Sequence, residues 1–283
     1  GTEALQIALR ACGIGAGDEV ITVAHTAVAT VAAIELAGAT PVLVDVARDF
    51  NIDVSQIEDA ITPRTKGIMP VHLSGYMADM PAIMKIAERS GVAVVEDACQ
   101  AFTAAIDGRA VGTFGVAAGF SLHPLKPLNV WGDAGMIVTD SDAIADHLRL
   151  RRNHGLRDRD TVELFGINSR LDTLQAVVGS HLIAGIIDAT ETRIRNARRL
   201  DAGLVDLAGD VVIPPRRPGV RHVYLTYVIQ ARDRDGLVRF LLERGIEAKV
   251  HYPVPLHLQP AARDLGYRAG AFPVCERQAR EIV

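Results

Sequence analysis

The stretch "DMPAIMKIAERSGVAVVED" (79–97) decides the fold class. Asp79 is placed to cap a helix that carries Pro81 in its first turn, and Gly91 is placed to end it. "VAVVED" (92–97) follows as a strand, small and apolar until two carboxylates at its end. The same alternation runs outward from here. "EVITVA" (19–24), "PVLVDV" (41–46) and "KGIMPVH" (66–72) read as strands, and "VATVAAIELAG" (28–38) and "DVSQIEDAI" (53–61) as helices. "AAGFSL" (117–122) and "GMIVTD" (135–140) add two more strands. Buried strands alternating with helices predict an α/β fold, with a mostly parallel sheet flanked by helices. Ligands in such sheets lie at the carboxyl ends of the strands, which directs attention to the ends of 92–97 and 117–122.

The texture changes after residue 140. "SDAIADHLRLRRNHG" (141–155) reads as a helix, and residues 170–204 as one or two long connecting helices. Beyond them, 222–231, 235–245 and 247–253 read as strand, helix, strand. The expected division is a large domain over 1–204 and a smaller α+β domain over 205–283, in a chain trimmed at both ends. With 30 Lys and Arg against 34 Asp and Glu, the net charge of −4 gives no footprint for nucleic acid. No apolar run reads as a membrane span, and three cysteines match no zinc pattern. These features predict a cytoplasmic protein with reduced thiols.

Three features carry chemistry. "GTEALQIALRACG" (1–13) is an amphipathic helix whose start offers either an N-capping Thr2 or a cup of free N–H groups for a phosphate. "VVEDACQA" (94–101) ends a buried strand in Glu96 and Asp97, one on each face of the sheet, with Gln100 following. A carboxylate there needs a cation or strong donor, so Asp97 is either a cap or the partner of a cationic cofactor atom. "FSLHPLKPLNVWGDAG" (120–135) sets Lys126 between two prolines, on a loop joining two core strands. Desolvation in such a place is how an amine becomes a Schiff-base nucleophile. A phosphate cup, a carboxylate and a lysine together match pyridoxal 5'-phosphate (PLP), whose phosphate, ring nitrogen and aldehyde need those three partners. "GIGAGDE" (13–19), although glycine-rich, lies between a helix and a strand and reads as a turn.

The chain resembles the DegT/DnrJ/EryC1/StrS sugar aminotransferases, PLP enzymes of fold type I. The motifs are "GTEALQIAL", "GDEVITVAHTAVAT", "AGATPVLVDV", "VEDACQA", "FSLHPLK", "GDAGMIVT", "NHGL", "GINSRLDTLQA" and "HYPVPLHLQP", which span nearly the whole chain in order. The resemblance implies that Lys126 forms the Schiff base and moves the proton. It implies that Asp97 pairs with the ring nitrogen, that Gln100 contacts the ring hydroxyl, and that Thr2, Glu3 and Ser121 hold the phosphate. It also implies a homodimer with shared active sites, in which Asn168 reaches the phosphate in the neighbouring subunit. The implied reaction moves an amino group from glutamate or glutamine to a keto-sugar, in amino-sugar, antibiotic or polysaccharide biosynthesis.

The sequence departs from the family pattern at three positions. Ala27 stands where an aromatic residue commonly stacks on the cofactor ring, which leaves ring packing to another side chain such as His25. Pro127 follows the lysine where Asn is usual, and Ala134 replaces a Gly. His123 is a candidate for substrate contact, proton relay or bracing of Lys126. His25, Arg170, Tyr252 and His257 are candidates for substrate contact, the last two on a Pro-stiffened loop (251–257) that could act as a lid. Two alternatives stand beside the aminotransferase reading: a sugar dehydratase of the same family, in which a histidine commonly replaces the lysine, and a non-catalytic regulatory or sensor protein that keeps the fold.

Overall fold

A computed structural model describes residues 1–283. The chain opens with α1 (Thr2–Ala11), β1 (Glu19–Val23), α2 (Val28–Ala37), β2 (Thr40–Val44), β3 (Thr65–Ile68), α3 (Met80–Ser90) and β4 (Ala93–Asp97). A small hairpin, β5 (Ala105–Ile106) and β6 (Arg109–Ala110), leads to β7 (Ala117–Ser121) and β8 (Gly135–Val138). The main sheet has the order β2-β1-β3-β4-β7-β8. Its pairings are parallel except that of β7 with β8. Asp79 caps α3 by accepting the N–H of Ala82, and Gly91 ends it in the left-handed conformation, as does Gly38 for α2.

Leu5, Leu9, Ala33, Ile34 and Ala37 pack α1 and α2 onto one face of the sheet. Met80, Ile83 and Ile86 of α3 belong to the core on the other face. Gly119 of β7 lets α1 lie directly on the sheet, because a Cβ there would sit 2.6 Å from Leu5 Cδ2. Each α/β unit therefore delivers the carboxyl end of a strand to the same edge.

Glu96 and Asp97 do point to opposite faces. Glu96 is fully buried and accepts the ring N–H of His72 and the backbone N–H groups of Gly112, Phe114 and Gly115. Burial alone would raise its pKa, but the bonds from His72 and these N–H groups outweigh it and hold the carboxyl below its usual value. Glu96 thus ties the 112–115 turn to β4. Glu96→Gln should cost on the order of 3 kcal/mol in urea unfolding, since an amide turns N–H groups toward donors. A loss under about 1 kcal/mol would show that the carboxylate is not holding this turn.

The later elements are α4 (Asp142–Arg151), α5 (Thr173–Leu182), α6 (Ile186–Leu204), β9 (Val211–Val212), β10 (Val220–Arg221), β11 (Gln230–Ala231), α7 (Arg234–Leu242) and α8 (Pro273–Glu281). A 3-10 turn joins α5 to α6, so Thr173–Leu207 is one helical run. Contrary to the sequence expectation, that run is long and apolar enough, by length and composition alone, to cross a membrane. Its α6 part is two-faced, with Thr190, Ile194 and Ala197 buried and Arg193, Arg195, Arg198 and Arg199 along the same helix.

Other segments differ from their sequence reading. Residues 53–61 form two 3-10 turns rather than a helix, the first capped by Asp53. Of 222–231, only the last two residues are in a strand. Val223 and Leu225 instead donate their N–H groups to Gly75 and Ser74, and the positive φ of Tyr224 interrupts any ladder. Residues 247–253 contain no strand, because their β-formers find no edge to pair with. The C-terminal region is anchored by Asp45, whose carboxylate accepts the N–H groups of Val274 and Cys275 at the start of α8.

Candidate active site

The site lies where α1 begins and where β4 and β7 end. Gly1, not Thr2, is the N-cap residue of α1, and no side chain caps the helix start. The N-capping reading of Thr2 is therefore replaced: Thr2 and Glu3 begin the helix, and its first turn has no side-chain acceptor. Gly1 brings this turn against Ser121, since a Cβ on Gly1 would lie 3.3 Å from Ser121 Oγ and 3.0 Å from Cys99 Sγ. A hydroxyl beside an uncapped helix start is a cradle for a phosphate.

Asp97 is buried at the end of β4. One oxygen accepts the N–H of Cys99 at 3.1 Å, and the other accepts the hydroxyl of Thr30 at 2.7 Å. Gln100 is oriented by Ser74, whose N–H donates to Gln100 Oε1 at 2.8 Å. That bond leaves the Gln100 NH2 group as a donor on its other side. The Tyr252 phenol lies beside these two residues. Burial and the Asp97 charge hold its pKa above the usual phenol value, against a smaller lowering by Gln100.

Lys126 is half-buried after a tight turn in which its N–H donates to the carbonyl of His123 at 2.8 Å. His123 Nδ1 accepts the N–H of Leu125 at 3.1 Å, and its Nε2 lies 3.9 Å from Asp133. His123 thus braces the turn that presents the lysine. Cys99 feels the Lys126 charge, but burial and the neighbouring Asp97 push its thiol well above its ordinary pKa, so it is a neutral wall and not a nucleophile.

His25 lies two residues past the end of β1, fully enclosed, its ring 5.8 Å from that of Phe50 and 6.1 Å from that of Tyr252. Its Nδ1 has no protein partner. Burial pulls its pKa down to about 4, only partly opposed by the His251 carbonyl. A histidine lowered this way stabilises the fold fully above its unfolded pKa near 6.5, and the contribution is lost as pH falls toward 4. The loss amounts to on the order of 3 kcal/mol. His25→Asn should flatten the fall in Tm between pH 6.5 and 4. An unchanged slope would move that acid sensitivity elsewhere.

The remaining sequence candidates are placed as follows. Ala27 is the N-cap residue of α2 and offers no ring, and Val28 beside it is exposed. Asn168 and Arg170 are exposed and pair with each other at 2.8 Å, while Ser169 between them donates to Glu3. His257 is enclosed, bonded to Glu276 at 3.0 Å and set edge-on against Phe272 at 4.8 Å. Sequence reasoning missed Thr26, Thr30, Cys99 and Ser74. The only sequence signal was the four-residue spacing of the two threonines in "AHTAVAT" (24–30).

An amine, an uncapped helix start with a hydroxyl, a carboxylate and an amide donor fit PLP, and with this sheet they define a PLP-dependent enzyme of fold type I. The chain belongs to the DegT/DnrJ/EryC1/StrS aminotransferase family, whose model matches residues 1–283. It is 46% identical over 285 residues to a pleiotropic regulatory protein from Geobacillus stearothermophilus, covering 100% of this chain and 77% of that protein. It is 40% identical over 284 residues to the dTDP-3-amino-3,4,6-trideoxy-alpha-D-glucose transaminase of Streptomyces venezuelae, covering 100% and 75%. The crystal structure of S. venezuelae DesV in complex with a ketimine intermediate superposes with a TM-score of 0.96 at 40% identity, covering 99% of this chain and 76% of that one.

Proposed function

We propose that this protein transfers an amino group from glutamate or glutamine to the keto group of a nucleotide-linked sugar. The observation that carries the reading is what gathers around Cys99 at the start of α1: Gly1 lies against Cys99 and Ser121, and Cys99 donates its N–H to Asp97 and feels the Lys126 charge. PLP supplies the aldehyde that receives the amino group and a ring that stores the electron pair. The protein's part is to hold and to move protons. Ser121 Oγ and the N–H groups of Thr2 and Glu3 would hold the phosphate, Gln100 would donate to the ring oxygen, and Asp97 would accept from the ring nitrogen. Lys126 Nζ would supply the amine that joins the cofactor and would give and take the proton, on a turn stiffened by Pro124, Pro127 and the His123 brace. Tyr252 and His25 wall the cleft on the side where Ala27 offers no ring.

The partners we propose are this amino donor, the keto-sugar and a second copy of the chain. Leu125 (80% exposed), Trp131 (79%), Phe165 (98%) and Leu174 (77%) are too exposed for apolar side chains unless another surface covers them. The exposed Asn168 would then reach the partner's phosphate. We propose a cytoplasmic location, as suits a nucleotide-sugar substrate.

The test is to supply 15N-glutamate and a panel of dTDP- and UDP-linked keto-sugars to PLP-loaded protein and to follow the label by mass spectrometry. Label in a sugar product is the expected result. The relative named as a regulatory protein favours a second reading, a PLP-binding regulator without turnover. PLP binding with no label in any sugar would select it.

A further inference from the structure

Asp97 is held by more than the turn that follows it. Thr30 donates to one of its oxygens at 2.7 Å, and Thr30 Oγ1 lies 2.8 Å from Thr26 Oγ1. A hydroxyl has one proton. Thr30 gives its proton to the carboxylate, so Thr26 must donate to Thr30, and the chain of bonds has a direction. Thr26 and Thr30 are both buried, and they straddle the start of α2 one turn apart. The second Asp97 oxygen is fixed by the Cys99 N–H. Both oxygens therefore have an anchor on the protein, and the carboxylate cannot rotate without breaking one.

We propose that the Thr26–Thr30 hydroxyl pair is a positioning device that locks the Asp97 carboxylate in the orientation that meets the cofactor's ring nitrogen. The proposal rests on the reading of Asp97 as the partner of that nitrogen. Aligned hydroxyls polarise one another, so the second threonine strengthens the bond made by the first. The pair adds no proton to the reaction and touches no substrate. Its effect is on how well the carboxylate and ring are aligned.

The experiment compares PLP-loaded wild type with Thr30→Val, Thr30→Ser and Thr26→Val. Affinity for PLP is read by titration, and the ring-nitrogen environment by NMR with PLP labelled with 15N in the ring. Thr30→Val keeps the shape but removes the donor, and should weaken PLP binding about tenfold, as expected for one lost bond to a carboxylate. The 15N signal should shift as well. Thr30→Ser should restore both, and Thr26→Val should give a smaller change in the same direction. Unchanged affinity and 15N shift in Thr30→Val overturn the proposal. If Thr30→Val does not fold, unchanged values in Thr26→Val overturn it instead. Failure of the wild type to bind PLP would remove the cofactor reading itself, a result distinct from equal binding by all variants.

Discussion

Lys126→Ala should abolish amino transfer, with a fall in rate of at least about 10³-fold, because on the proposed reading the protein would lose both its Schiff-base amine and its proton carrier. The chain has four lysines. Lys66 and Lys85 are exposed, and Lys249 is exposed and paired with Glu247 at 2.8 Å. Only Lys126 is partly enclosed, beside Cys99. No other lysine side chain lies in the site. The turn before it is held by backbone and His123 bonds, not by the lysine side chain, so the variant should unfold within a few degrees of wild type. Single-turnover measurement with a keto-sugar acceptor checks the loss. Residual transfer within about tenfold of wild type would mean that Lys126 is not the reacting amine.

Asp97→Asn should lower kcat by about 10²- to 10³-fold, the cost usual for removing one fixed electrostatic group aimed at a reacting system. The replacement has the same shape, and its one oxygen can still accept from either the Thr30 hydroxyl or the Cys99 N–H. What it removes is the charged partner of the ring nitrogen, and with it the stronger charge-assisted bond. Asp97→Glu should not restore the rate. Asp97 is only 4% exposed and each of its oxygens has a fixed donor, so the extra methylene of glutamate would carry the carboxylate off the Thr30 hydroxyl and the Cys99 N–H. Steady-state kinetics with saturating PLP separates loss of turnover from loss of cofactor. A kcat within tenfold of wild type would place the essential charge elsewhere.

The parallel sheet was legible because its signals are local. Asp79 and Gly91 bracket α3, Gly38 ends α2, and the runs at 19–23, 40–44 and 93–97 are apolar enough to be buried on both faces. Asp97 and Ser121 could be placed together from the sequence because the ends of the parallel strands β4 and β7 lie on one edge. Thr30 could not be found in this way. It is an ordinary helix residue in sequence, and its meaning comes from a carboxylate 67 residues away. Residues 222–231 misled for a related reason: their alternation is that of a strand, but they lie on the 73–75 turn, where backbone bonds to Ser74 and Gly75 take the place of a ladder. His257, a candidate for substrate contact in the sequence, is paired with Glu276 of α8, a partner 19 residues on that the sequence does not announce.

The central claim is that Lys126 is the amine joined to the cofactor. The measurement is borohydride reduction of the PLP-loaded protein, which fixes the cofactor to its lysine, followed by peptide mapping by mass spectrometry. The account predicts one modified peptide, with the cofactor mass on Lys126. Modification at Lys66, Lys85 or Lys249, or none at all, would contradict it.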